Sequence, residues 1–175
     1  RRVDHELHPA RLVEEPLEHQ VVLGGEHAEG ELRRAQITDN LRGGDASDIV
    51  DGEAGDDELW GGDGNDQLLG DVGNDALIGG AGDDTYNAVA GDTITEAAGA
   101  GIDTVITSSA AFTLANNVDN LVFTGADGHG GTGNAQDNAI TGAGGNDVLN
   151  GAGGNDTITG GSGSDIMNGG GGNDT

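Results

Sequence analysis

The sequence predicts an all-β repeat array built from short strands, on three observations. Glycine and aspartate return at nine-residue intervals over much of the 175-residue chain. An apolar residue stands two places after these aspartates wherever the unit extends that far, at the centre of a three-residue stretch whose two-residue period suits a strand with one buried face. Glycine supplies 36 residues and aromatics only 2%, so a conventional close-packed core is poorly provided for. A nine-residue spacing fits neither an amphipathic helix nor a heptad, and the clustered glycines would penalise a helix by about 1 kcal/mol each.

Residues 1–42 stand apart in composition. They hold all six Arg, four of the five His and both Pro, and no run of nines. Pro9 and Pro16 cut any helix short, so this segment is expected to be poorly ordered or weakly helical. It reads as the end of a preceding domain or as sequence foreign to the array. HELH, residues 5–8, invites a metal reading, but a zinc-protease helix needs H-E-x-x-H and the spacing here is one residue short. The lack of an initiator Met and the ending GGGGNDT, which stops partway through a unit, suggest a fragment.

From Gly43 onward there is no Lys or Arg, against 23 acidic residues. Such a surface repels phosphate backbones and anionic lipid, which argues against nucleic-acid or membrane binding through a basic patch. No membrane-spanning segment is visible. The partner that the charge calls for is a cation. The first run of nines, residues 43–87, reads GGDASDIVD, GEAGDDELW, GGDGNDQLL, GDVGNDALI and GGAGDDTYN. The second, residues 133–175, reads GNAQDNAIT, GAGGNDVLN, GAGGNDTIT, GGSGSDIMN and GGGGNDT. Position six is Asp in nine of these ten units: Asp48, Asp57, Asp66, Asp75, Asp84, Asp147, Asp156, Asp165 and Asp174; the exception is Asn138. Position eight is apolar or aromatic: Val50, Leu59, Leu68, Leu77, Tyr86, Ile140, Leu149, Ile158 and Met167.

Each unit has a physical logic. Glycines let the loop turn sharply through positive φ and aim its carbonyls inward, aspartate follows as a hard anionic oxygen donor, and a three-residue strand buries one side chain. One buried Leu or Ile does not offset the entropy of ordering nine residues, and the aspartates repel one another. Something must bind them. Calcium takes six to eight oxygens from carboxylates and carbonyls in flexible geometry. Magnesium demands a tighter octahedron, and soft metals want the Cys that is absent and the His that is scarce. A disordered acidic linker would have no reason to keep an apolar residue at every eighth position.

The pattern G-G-x-G-x-D-x-U-x resembles the calcium-binding nonapeptide repeat of the RTX (repeats-in-toxin, haemolysin-type) family. That resemblance implies a right-handed parallel β-roll or β-solenoid in which two nonapeptides make one coil. Calcium then sits between loops two units apart, held by the position-six Asp and loop carbonyls. The implied pairs are the units beginning at 43 and 61, 52 and 70, 61 and 79, 142 and 160, and 151 and 169, for about five ions, with a doubtful sixth at Asn138. Glu53, Asp71 and Asn134 replace the second glycine, and Ala46 and Gln136 the fourth-position one, so those loops are expected to be looser or partly ligated.

Residues 88–132 interrupt the nines but keep strand-like stretches, DTIT, DTVITS, FTL and NLVFTG. Within them AGAGIDTVI, from Ala98, places Asp103 and Val105 at positions six and eight, one residue out of phase, and makes Asp103 a candidate ligand. The segment resembles the cassette found between nonapeptide runs in large bacterial RTX-type proteins. It is expected to continue the solenoid in wider coils filled by Phe112, Leu114, Val118, Leu121 and Phe123. A separate ligand-binding insert is the alternative.

No catalytic constellation is visible: there is no G-x-S-x-G elbow, P-loop or Cys, and His129 lies in a glycine-rich run without an evident Ser or acid partner. The chain is therefore read as non-enzymatic. The family implies a secreted, extracellular, calcium-dependent module of a larger bacterial protein, exported by type I secretion machinery. RTX arrays accompany proteases, lipases, epimerases, toxins and adhesins, so the non-catalytic part of a secreted hydrolase is one alternative. An adhesive or ice-binding face, using Thr-rich strands such as TIT at 93–95 and 157–159, is another.

Overall fold

The computed structural model describes residues 20–22, 31–32 and 38–175. HELH and the remainder of residues 1–37 lie outside them. Among the described residues every regular element is a strand, and every strand pairing is parallel. Successive strands alternate between two walls of a solenoid.

One wall is a continuous eight-stranded sheet. It comprises β2 (Glu31–Leu32), β4 (Ile49–Asp51), β6 (Gln67–Leu69), β8 (Thr85–Asn87), β10 (Thr104–Thr107), β12 (Asn120–Phe123), β14 (Ala139–Thr141) and β16 (Thr157–Thr159). The facing wall is divided. Its first part runs through β1 (Gln20–Val22), β3 (Asn40–Asp45), β5 (Glu58–Asp63), β7 (Ala76–Ala81) and β9 (Thr93–Thr95); its second through β11 (Ala111–Thr113), β13 (Gly130–Thr132), β15 (Val148–Asn150) and β17 (Ile166–Asn168). A cleft of about 230 Å³, lined by residues that include Thr93, Ile94, Phe112 and Thr113, marks the break between β9 and β11.

The register follows from the nines. Asn40 pairs with Glu58, Ile49 with Gln67 and Val148 with Ile166, so one coil is two units, and each apolar eighth residue stacks on the eighth residue of the next coil. Val50, Leu59, Leu68, Leu77, Tyr86, Ile140 and Leu149 are buried to within 1% of full burial. The core is thin: each strand contributes little more than one inward side chain. Ile158 is only partly buried and Met167 is 53% exposed, because the last described coil has no neighbour laid over it.

Residues 88–132 continue the same solenoid. Val105, Leu114, Val118, Leu121 and Phe123 are buried, with Phe112 packed against them. The coils there are irregular instead of uniformly wider: Ala76 pairs with Thr93, Thr85 with Thr104, Thr104 with Asn120 and Asn120 with Ala139, so the step shrinks as well as grows. Bulky Phe123 finds room because its neighbour across the interior is Gly131, where a Cβ would crowd both Phe123 and Leu149.

The compositional boundary at residue 42 falls inside β3. Asp39 and Leu41 are both buried, at the sixth and eighth places of one further unit. The arginine content masked that unit. The two TIT stretches, β9 and β16, lie on opposite walls, so they form no common threonine row.

Candidate metal centres

Two columns of side chains run along the edges of the solenoid, where the loops stack. Before the eight-stranded wall stand Asp48, Asp66, Asp84, Asp103, Asp119, Asn138, Asp156 and Asp174; before the divided wall stand Asp39, Asp57, Asp75, Asp92, then His129, Asp147 and Asp165. From Asp57 and Asp66 onward the column carboxylates are tied to the coil before them. Asp66 Oδ1 accepts from the Asp48 N–H at 2.8 Å, Asp84 Oδ1 from Asp66 at 2.8 Å, and Asp75 Oδ1 from Asp57 at 2.8 Å. In the second run, Asp165 Oδ1 accepts from Asp147 and Asp174 Oδ1 from Asp156, both at 3.0 Å. The structure thus brings together the aspartates two units apart, as the repeat pattern requires.

The other oxygen of each group is left over. Oδ2 of Asp57, Asp66, Asp75, Asp84, Asp103, Asp147 and Asp156 is buried without a hydrogen-bond partner. A buried carboxylate oxygen in that condition costs free energy unless it finds a cation. Asp165 is only partly buried and Asp174 is exposed.

The orphaned oxygens face a space that the first glycine of each unit keeps open. A Cβ at Gly61 would collide with Asp66 Oδ2 and the Gly79 carbonyl oxygen; at Gly142 it would collide with Asp147 Oδ2 and Gly160 O, and at Gly151 with Asp156 Oδ2 and Gly169 O. Every lining atom named is a carboxylate or carbonyl oxygen, the donor set of a hard cation such as calcium. The second and fourth glycines answer a different need. Gly62 (φ 121°) and Gly64 (φ 141°) lie so close to the backbone of Gly44 and Ala46 that no side chain fits between the coils. Where the second glycine is replaced, Glu53 and Asp71 still adopt positive φ, of 61° and 58°. Asn134 instead donates through its side chain to the carbonyls of Ala115 and Val118, each at 2.7 Å.

Two column positions are filled by other chemistry. Asn138 donates through Nδ2 to the carbonyls of Val118 and Asp119, and its Oδ1 accepts from Asn134 N–H at 2.8 Å. The amide satisfies itself within the protein and leaves no orphaned oxygen. His129 takes an aspartate's place: its N–H donates to Asp147 Oδ1 at 2.7 Å, its Nδ1 lies 3.0 Å from Ser109 O, and its ring stacks on Phe123 at 4.7 Å. The carbonyl can only accept, so Nδ1 carries the proton in that contact.

Three features of the site lay outside the sequence expectation. Asp92 and Glu96 add carboxylates where the first run meets the spacer: Asp92 Oδ1 accepts from Asp75 N–H at 3.1 Å, and Glu96 gathers with Asp84 and Asp103. A second, exposed ladder uses position five. Asp83 N–H donates to Asn65 Oδ1, Asn74 N–H to Asp56 Oδ1, and Asn155 N–H to Asp137 Oδ1, which holds the Asp137 carboxyl below its ordinary range. The signal was present, since every unit carries Ser, Asp or Asn at that place.

Without a cation the columns are under electrostatic stress. Burial, as the largest cause, pushes the carboxyls of Asp48, Asp57, Asp66 and Asp103 up, and takes Asp75 and Asp84 to about 6, with neighbouring aspartates adding repulsion. An unfolded carboxylate titrates near 4, so the folded form binds protons more readily than the unfolded one. Those groups oppose folding at neutral pH, and the penalty is relieved as pH falls from about 7 towards 4. In chelator, circular dichroism should therefore show β content rising on mild acidification. With calcium present the sign reverses, since protons compete for the same oxygens and more metal is required. A chelated chain that loses β content between pH 7 and 5 would contradict this account.

The sequence model of one family, described as the RTX calcium-binding nonapeptide repeat, matches the chain in four copies, over residues 38–68, 60–94, 129–158 and 141–175. No curated protein and no solved structure matches it. The first matched copy begins beside Asp39, where the buried column also starts.

Proposed function

This chain belongs to the RTX calcium-binding nonapeptide repeat family, and on that premise we propose that it is a secreted module whose folding is driven by extracellular calcium. It is a calcium-binding β-roll; what the proposal adds is the coupling to folding, the compartment and the residues. The observation that carries it is the set of eight buried Asp Oδ2 atoms without a partner among the described residues, those of Asp39, Asp57, Asp66, Asp75, Asp84, Asp103, Asp147 and Asp156, each on a residue whose Oδ1 or backbone is already committed to the stack. Asp48, Asp57, Asp66, Asp75, Asp84, Asp147, Asp156, Asp165 and Asp174 hold ions with the loop carbonyls. The metal supplies positive charge that neutralises neighbouring carboxylates and joins successive loops.

From Gly43 the chain has no basic side chain to do this instead. In a calcium-poor cytosol the aspartates repel and the chain stays largely unfolded, a state suited to type I secretion; outside, millimolar calcium turns binding free energy into folding free energy. The role is non-catalytic, within a larger bacterial extracellular protein. Within the two repeat runs the columns carry aspartates at the regular two-unit interval, apart from Asn138, which is the arrangement of ligands of equal rank and not of a differentiated acid and base.

Equilibrium dialysis against calcium tests the proposal. About five ions per chain are expected, with dissociation constants of about 10⁻⁴ to 10⁻³ M, the range of extracellular modules. Binding of one ion or none at millimolar calcium would overturn it.

A further inference from the structure

At Gly79 the repeating cradle changes its chemistry. Beside Gly61 the open space is lined by the unit's own aspartate and by a glycine carbonyl one coil further on. One coil after Gly79 the chain has entered the spacer and offers no such glycine. A Cβ at Gly79 would instead collide with Asp84 Oδ2, Glu96 Oε1 and the Tyr86 hydroxyl. A carboxylate has replaced a carbonyl. Asp103 closes the group, and one oxygen each from Asp84, Glu96 and Asp103 lie within 4.8 Å of one another.

Beyond the clustering of acids, the partner inventory marks the spot as a ligand site. Asp84 and Asp103 are 1% and 0% exposed. Each commits Oδ1 to a backbone N–H, of Asp66 at 2.8 Å and of Asp84 at 2.9 Å, and each leaves Oδ2 buried and unpartnered. Glu96, 8% exposed, is fixed in place: the Tyr86 hydroxyl donates to Oε1 and the Ala97 N–H to Oε2 at 3.2 Å. From Gly43 onward the chain has no Lys or Arg to neutralise three carboxylates at such close range.

We propose that Asp84, Glu96 and Asp103 form a dedicated three-carboxylate site for calcium at the junction between the first repeat run and the spacer, filled before the ordinary repeat sites. The inference rests on the calcium-folding reading and adds to it a ligand, Glu96, that belongs to no nonapeptide. Ligand charge count is one of the levers that tune calcium affinity, and this site gathers three carboxylates where one lines the space beside Gly61. Its position has a consequence for the fold. Glu96 directly follows β9, the strand after which the divided wall is interrupted, while Asp84 and Asp103 precede β8 and β10. The ion thus fastens the intact wall to the strand next to the break, where no backbone ladder continues.

Tyr86 is the single tyrosine of the chain and Trp60 the single tryptophan, which gives the site its own reporter. In a Trp60→Phe background, Tb³⁺ luminescence excited through Tyr86 should saturate with the first equivalent of Tb³⁺. Glu96→Gln should raise the Tb³⁺ concentration required by on the order of ten-fold or more and remove one calcium ion from the dialysis count at submillimolar calcium. An unchanged titration and count in Glu96→Gln would overturn the proposal. Tyr86→Phe, which keeps all three carboxylates, separates ligation from packing: it should retain the calcium count, and loss of the ion there as well would refute the site. A wild-type chain that binds no calcium would sink the folding reading itself, whereas wild-type binding with a silent Glu96→Gln sinks only this site.

Discussion

Chelation of calcium from the folded chain is expected to abolish most of its far-ultraviolet β signal and expand it, and readdition should restore both. An ion present at ten times its dissociation constant stabilises a folded state by about 1.4 kcal/mol. About five such ions contribute roughly 7 kcal/mol, which is comparable to the whole stability of an ordinary domain. The thin core offers little to replace that contribution, because most strands insert only one side chain. With the metal gone, nine buried carboxylate oxygens among the described residues have no partner, and from Gly43 onward 23 acidic residues stand against no Lys or Arg. Circular dichroism and size-exclusion chromatography in chelator and in millimolar calcium check this result. A chain that keeps its β signal and its compact size in chelator would show that the stack stands without metal.

The second large effect is expected from Asp66→Ala, compared with Asp63→Ala in the same loop. Asp66 is 3% exposed, accepts from Asp48 N–H, and turns its other oxygen into the space beside Gly61; Asp63 is exposed. Replacing Asp66 removes a charged hydrogen bond that contributes about 1.5 to 3 kcal/mol, and removes a proposed ligand as well. A loss of about 3 kcal/mol or more at saturating calcium is expected. Asp63→Ala should stay within about 0.5 kcal/mol, as surface substitutions do. Urea unfolding at fixed calcium measures both. Equal effects would show that the acidic composition of the loop matters and the sixth position does not.

The elements of the fold that rest on local pattern were legible. Aspartate at position six and an apolar residue at position eight mark which side chains turn inward, and Asp66 and Leu68 illustrate it, both buried as that alternation requires. The two-unit coil followed from the family resemblance and matches the observed pairing of Ile49 with Gln67. Less legible was the first unit: Asp39 and Leu41 keep the register, yet Arg42 and the basic residues before it made the segment look foreign. The position-five ladder was hidden for another reason. Asn, Asp and Ser were present in every unit, but an exposed polar residue in a loop is ordinary, and only stacking shows that Asn65 Oδ1 meets the next coil's Asp83 N–H.

The sequence by itself determined the repeating unit, because the glycines, the aspartate and the apolar residue of each nine act within a few residues of one another. It also determined that a cation was needed, since charge is a matter of composition. Only the tertiary structure decided which groups come together at the irregular places. Glu96 is twelve residues from Asp84 and seven from Asp103, spacings that belong to no period, and the three meet because the coil steps around the spacer vary. The same variation accompanies the interruption of one wall between β9 and β11, whereas His129 and Asn138 keep the regular step of 18 residues to Asp147 and Asp156. Local pattern fixes which way a side chain points, but the length of each turn of the solenoid fixes what it faces.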